Sequence, residues 1–403
     1  MELFWLEHKK LWRKKIVKIC VLLCFVYCVI FGSILSFQWF CFGSSDDYTS
    51  AFGNNFDGYT VIKDSQEYAL SFGGELTDET LQQIVSDYQQ MEADGMEKEL
   101  EKTDWQIVNS WLGTLYPELR DTSNYKTMIS YVDPDKLTGF YERRQQVLDE
   151  FLEVSGQVGA EKEYLHQIER KVEKPFRYEW VEGWSTLLGS MVADLGVVMA
   201  LFLGIVLSSL FAGEWHDNTS TLVLTTRNGW GKIALAKILT GLAFTVELFA
   251  LLAVSSVISQ LFFMGTAGWD MPIQNIKLIA VAPMNMLQAE IYEYAFVLLG
   301  AIGFAGIVMF ISAAVKNNVL TLLLSLAVVY GPMMIVEYLP YEMQKALDLI
   351  PLVGSSTDIF RTNTFSIFGK LIWSPYLLIT IPVLIGILCM PFAIKSWSRR
   401  MKA

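Results

Sequence analysis

Two carboxylates, Asp194 and Glu247, stand in stretches that otherwise carry almost no charge. At membrane depth an ionised carboxylate costs at least about 2.5 kcal/mol on insertion scales, so each should face a partner helix or a watery path rather than lipid. That leaves two roles open for each: a step on a pathway through the membrane, or a structural hydrogen bond inside a helix bundle. Cys20, Cys24 and Cys28 recur at every fourth residue and share one helix face. The spacing suits a metal or a lipid, and it equally suits small packing residues at a helix interface. Gly229-Trp230-Gly231-Lys232 has neither the spacing nor the following Ser/Thr of a phosphate-binding loop. HExxH, paired CxxC and GxSxG patterns do not occur, and His8, His166 and His216 are the three histidines. Basic residues do not interleave with aromatics as a nucleic-acid face requires. No catalytic residue, metal ligand, directly bound cofactor or nucleic-acid partner is expected.

The elements that must position these residues are set by composition. Of 403 residues 53% are hydrophobic and 18% charged, with a mean hydropathy of +0.35, too apolar for a soluble globular surface. The net charge of −11 is divided by region: residues 43–185 hold 29 acidic against 13 basic residues, and the remainder is net positive. An acidic soluble domain inserted among membrane spans follows. The five cysteines all lie in or beside apolar segments, so the insert is not stapled by disulfides.

Taken in order, residues 1–15 read as a basic amphipathic helix in the headgroup layer, with Phe4, Trp5, Leu11 and Trp12 among six basic or histidine side chains. Residues 16–42 are too long for a secretory signal core and read as a first span with the N-terminus inside. The 43–185 insert is then extracytoplasmic and mainly helical. Thr77 is an expected N-cap ahead of Asp78 and Glu79. Asp133-Pro134 is expected to open another helix, and Phe176, Tyr178, Trp180 and Trp184 form an expected interfacial belt. Further spans are expected near 186–211, 238–264, 294–315, 319–336 and 371–394, with 337–370 forming re-entrant or interfacial helices on the outer side. Basic residues at 1–15, in 211–237, at Lys316 and in the C-terminal tail place those pieces in the cytoplasm.

The polar run 211–237, FAGEWHDNTSTLVLTTRNGWGKIALAK, joins two spans and is too charged to cross a membrane itself. Leu222, Val223 and Leu224 suit a short helix that plugs into a groove of a cytosolic partner, with charges at either end fixing its orientation. This stretch, with the basic N-terminus, six spans and the large insert, resembles the ABC type-2 transporter permease family. In that family a Glu closes the second span, a Gly-Thr pair and an apolar turn follow, and a Lys opens the third span. Glu214 matches the Glu, Thr219 the Thr, Leu222 and Leu224 the turn, Thr226 the Thr before the usual Pro, and Lys237 the Lys. Asn218, Arg227 and Trp230 depart from the pattern, standing where Gly, Pro and Arg are common.

The resemblance implies an all-α polytopic membrane protein with six transmembrane helices, like type V ABC exporters. It also implies a role as permease subunit of an exporter of a peptide, drug or lipid-like substrate in the cell membrane. ATP-Mg would be bound by two copies of a separate ATPase subunit, beneath this chain and a second, identical or related permease. The implied path runs along the first, second and fifth spans, with the Cys20, Cys24, Cys28 face and Asp194 as candidates. Two other classes remain open: a membrane-tethered sensor or binding module, and an intramembrane enzyme using Asp194 and Glu247.

Overall fold

A computed structural model of the chain describes residues 2–29, 66–67, 73–95, 105–121, 126–188, 192–217, 219, 231–315, 317–354, 360 and 362–399. The chain is a mostly helical membrane protein. Two helices open it, α1 (Glu2–Arg13) and α2 (Lys15–Val29). The spans are carried by α8 (Val192–His216), α9 (Gly231–Met264), α10 (Met286–Ala314), α11 (Asn318–Ile335) and α13 (Ser374–Arg399). Five segments on these helices, Asp194–His216, Gly231–Phe262, Met286–Ala314, Asn318–Tyr338 (which runs past α11 through a 3-10 turn) and Ser374–Ser398, are long and apolar enough to cross a membrane. The expected first span, 16–42, is described as far as Val29, where Cys20 and Cys24 are buried against the bundle. Its remaining residues lie outside those described.

Burial sorts the spans into centre and rim. The apolar windows of α8 and α10 are 72% and 61% buried, that of α11 only 17%. Glycines let α10 meet α13 backbone to backbone: a Cβ on Gly303 would lie 2.2 Å from the Pro382 carbonyl oxygen, and one on Gly306 would lie 2.4 Å from that of Gly386. Without a hydrophobic drive between helices in lipid, such close approach supplies the dispersion contacts that hold the pair.

Between α2 and α8 the inserted domain has its own core. It comprises β1 (Gly74–Glu75), α3 (Asp78–Ala93), α4 (Trp105–Leu115), α5 (Phe140–Val154), α6 (Ala160–Glu169), β2 (Arg177–Tyr178) and α7 (Glu182–Thr186). Thr77 caps α3 as its sequence predicts, accepting from the Thr80 N–H at 3.3 Å, and Leu81, Ile84, Val85 and Tyr88 form the buried face. Asp133-Pro134 starts only a single 3-10 turn, Pro134–Lys136. The long helix begins six residues later, because Gly139 takes a left-handed conformation (φ 72°) and the Asp78 carboxylate accepts from the N–H groups of Gly139 and Phe140 at 2.6 and 2.9 Å.

Two expectations are corrected. Phe176, Tyr178, Trp180 and Trp184 are at most 4% exposed and form no lipid-facing belt. Phe176 and Tyr178 enter the insert's core, while the Trp180 and Trp184 indoles donate to the carbonyls of Met264, the last residue of α9, and Ala267 just past it. They join domain to bundle, and burial with a satisfied N–H is what a Trp gains there. Gly268 seals the joint: any Cβ would lie 2.1 Å from the Trp180 carbonyl oxygen. Residues 337–370, expected to form one or two helices in a re-entrant or interfacial segment, hold among the described residues a short helix, α12 (Tyr341–Leu347), and the start of a hairpin. That hairpin is β3 (Thr364–Ile367) paired antiparallel with β4 (Lys370–Trp373). The Phe368-Gly369 turn, both residues at positive φ, matches a two-residue hairpin loop and overrides the helical reading.

Candidate functional site

The polar run between α8 and α9 is shorter than its sequence suggests. Helix α8 continues through His216 and α9 starts at Gly231, so Glu214 and Lys237 lie on helices rather than in the connection. The two meet. Lys237 Nζ donates to Glu214 Oε1 at 2.8 Å, with side chains 2% and 4% exposed. Thr219 closes the helix end by donating its hydroxyl to Glu214 Oε2 and its N–H to the Glu214 carbonyl oxygen.

Helix α1 completes the cluster. Lys10 Nζ donates to Glu214 Oε1 at 2.5 Å, and Glu7 Oε2 accepts from Lys237 at 2.8 Å. Glu7 and Lys10 are three apart and so share one face of α1. Two carboxylates and two ammonium groups therefore balance in a knot tying α1, α8 and α9 together: the Glu214–Lys237 pair at its centre is buried, while Glu7 is 17% and Lys10 53% exposed. Losing one partner of such a buried pair costs about 3–5 kcal/mol, because the other charge is left uncompensated. The Lys10 ammonium is lowered by burial but raised further by its bond to Glu214 and by the charges of Glu214, Glu7 and Asp217, and it ends above the usual lysine value. Lys14 moves the other way, lowered first by burial and then by Lys237 and Lys10, and it donates to Ser209 Oγ at 3.0 Å.

One turn deeper, Ser312 of α10 inserts its hydroxyl into the backbone ladder of α8. It donates to the Ser208 carbonyl at 2.7 Å and accepts from the N–H groups of Phe211 and Ala212, each at 3.1 Å. Insertion of a side chain into a helix ladder is a recognised cause of bending. On the same stretch, Trp397 of α13 packs against Phe211 and Trp215 at 5.5 and 6.1 Å between ring centres. The end of α8 is thus held by α1, α9, α10 and α13 at once.

Of the residues singled out by sequence, Glu214, Thr219 and Lys237 come together. Leu222, Leu224 and Thr226 lie outside the described residues. Asp194 sits exposed in the first turn of α8 at the far end of the bundle, where a carboxylate suits a helix N-terminus. Glu247 is 42% exposed and is engaged by α1: His8 Nε2 lies 3.2 Å from Oε1, and the Trp12 indole donates to Oε2 at 3.0 Å. Neither meets the other, and Glu247 serves as an anchor for α1. Sequence reasoning missed Glu7, Lys10 and Ser312. The common face of Glu7, Lys10 and Lys14 on an amphipathic helix was the available signal; nothing in the sequence marked Ser312.

Comparison of the chain with protein-family models, with curated proteins and with solved structures finds no match.

Proposed function

We propose that this chain is the permease subunit of an ATP-driven ABC exporter. In this reading the 217–230 connection is cytoplasmic, the N-terminus and C-terminus lie on the same side, and the insert is extracytoplasmic. Two copies of a separate ATPase subunit dock on the connection, and a second permease, identical or related, completes the path for the exported substrate. ATP and its magnesium are held by the ATPase, whose closure displaces the connection.

The observation that supports this most is the buried Glu214–Lys237 pair, with Glu7 and Lys10 of α1 bonded to it from its solvent side. It makes the helices on both sides of the connection and the surface helix α1 one mechanical unit, so a push on the connection has no slack element to dissipate it. Ser312 then carries the displacement to α10, the most central neighbour of α8. A polar connection that merely joined two spans would need none of these buried charges, each of which carries a desolvation cost.

The test is co-purification of the full chain from its native membranes, assayed for Mg-ATP hydrolysis. The wild-type chain should bring down an ATPase, and Leu222→Asp with Leu224→Asp should lose it while leaving insertion and yield intact. Correctly inserted wild-type protein that retains no ATP hydrolysis under any mild extraction would overturn the reading.

A further inference from the structure

A second buried acid lies at the opposite end of the bundle from the knot. Glu290, in the second turn of α10, is 4% exposed; among the described residues no ammonium or guanidinium group bonds its carboxyl, and the partner its surroundings offer is the Tyr294 hydroxyl. On α9, Gln260 is fully buried, and both its amide nitrogen and its amide oxygen lack a partner among the described residues.

The register of the two antiparallel helices brings these side chains to one place. A Cβ on Gly241 would touch Met309 Sδ, Phe249 meets Tyr294 edge-on at 6.1 Å, and Ser256 Oγ bonds the Tyr294 hydroxyl at 2.8 Å. Continuing one turn outward on each helix sets Gln260 beside Glu290. Tyr294, four residues on from Glu290, shares its helix face and lies near its carboxyl.

Lys277, in the segment between α9 and α10, has its Nζ 3.9 Å from Oε1 of Glu293 and lies over the Phe360 ring. Between Ile238 and Met264 on α9, and along all of α10, there is no Lys or Arg. A buried carboxyl is either protonated or, if ionised, compensated by a positive charge, which a neutral amide or hydroxyl does not supply. A carboxylate, an amide carbonyl and two hydroxyls are hard oxygen donors, the type that replaces the hydration shell of a compact cation.

We propose that Glu290 and Gln260, with the hydroxyls of Ser256 and Tyr294, form a binding site for a small monovalent cation between α9 and α10. The same chemistry would take a free alkali-metal ion or the ammonium group of a transported molecule. The site stands on this geometry alone and is independent of the exporter reading.

The experiment uses the full chain in detergent, with sodium, potassium or methylammonium chloride titrated against N-methylglucamine at constant ionic strength. Thermal midpoints and the infrared carbonyl band of protonated carboxyls are followed. For the wild type, at least one small cation should raise the midpoint with increasing concentration, as binding to the folded state requires, and should bleach one protonated-carboxyl band. Response to sodium or potassium assigns a free ion; response to methylammonium alone assigns an ammonium-bearing ligand. Glu290→Gln should remove both responses. Gln260→Leu, which keeps the charge, should shift the titration to concentrations about tenfold higher, equivalent to one coordinating group of modest strength. Three results would overturn the proposal: equal midpoints in N-methylglucamine and all small cations, a response that survives in Glu290→Gln, or a carboxyl band that no cation changes. The last would make Glu290 a permanently protonated structural group.

Discussion

The bundle buries an acid at each end and treats the two in opposite ways. Glu214 accepts from Lys10, Lys237 and Thr219; Glu290, equally buried, has no cationic donor among the described residues and only a neutral hydroxyl, that of Tyr294, near its carboxyl. The difference is one of timing. A charge whose partners are built into the chain is compensated as soon as the helices pack, and it then resists any motion that separates them. A charge whose partners are absent leaves its end of the bundle dependent on what it binds. The first arrangement suits a fixed joint that transmits displacement, and the second a site whose occupancy can change.

The comparison breaks most easily at the knot. Lys237→Met should cost about 3–5 kcal/mol of stability, since Glu214 stays buried with one cation gone. Thermal denaturation of the purified chain measures it. The double variant Lys237→Met, Glu214→Gln should recover part of the loss, because it removes the stranded charge together with its partner. A single variant as stable as wild type would mean that the end of α8 opens to water and that no rigid joint exists.

The inserted domain shows what a compensated acid does when pH changes. Glu169 is buried against Arg144 and Lys174 at 2.7 and 2.8 Å, and the Arg144 guanidinium also donates to the Leu278 and Ala280 carbonyls between α9 and α10. Burial raises the Glu169 carboxyl, but the bonds to Lys174 and Arg144 and their charges outweigh it, so the group lies below the usual glutamate value of 4.5. A depressed carboxylate contributes stability that is complete above that ordinary value and fades as pH falls through the lower, folded one. Limited proteolysis of the insert should therefore accelerate below about pH 4.5. Glu169→Gln should remove that pH dependence while raising cleavage at neutral pH. An unchanged acid profile in this variant would assign the loosening to other carboxylates.

How much of this could be read from the chain depends on the range of the interaction. Spans α8 to α11 and α13 are visible because each is a continuous apolar run, and the Thr77 cap because its partner lies three residues away. Glu214 and Lys237 are visible as the polar ends of two spans. Their pairing with Glu7 and Lys10 is not, since more than two hundred residues separate the partners. The aromatic cluster at 176–184 misleads for the same reason: its composition is that of a membrane interface, and only the carbonyls of Met264 and Ala267 show where the indoles point. Glu290 and Gln260 each look ordinary in sequence; the packing of α9 on α10 creates the site.

A smaller effect separates the ends more sharply. Glu290→Gln removes a charge that has no built partner, so in N-methylglucamine the thermal midpoint should stay level or rise, by no more than about 1 kcal/mol in stability. A loss comparable to that of Lys237→Met would mean that Glu290 has a compensating partner after all, and the contrast between the two ends would disappear.

The smallest change belongs to Glu247, the acid that sequence alone places at membrane depth. At 42% exposed it is a half-solvated pair with His8 and a hydrogen-bond acceptor for Trp12. Exposed ion pairs contribute about 0–1 kcal/mol, so Glu247→Gln should leave the midpoint within that range, and the amide oxygen can still accept from the Trp12 indole. What should change is the docking of α1: exchange of the Trp12 indole N–H, followed by hydrogen exchange or indole fluorescence in detergent, should speed up in Glu247→Leu and hold in Glu247→Gln. If Glu247→Gln instead freed the Trp12 indole N–H as fast as Glu247→Leu does, the carboxylate charge and not its acceptor oxygen would hold α1, and the site would belong with the charged knot rather than stand apart from it.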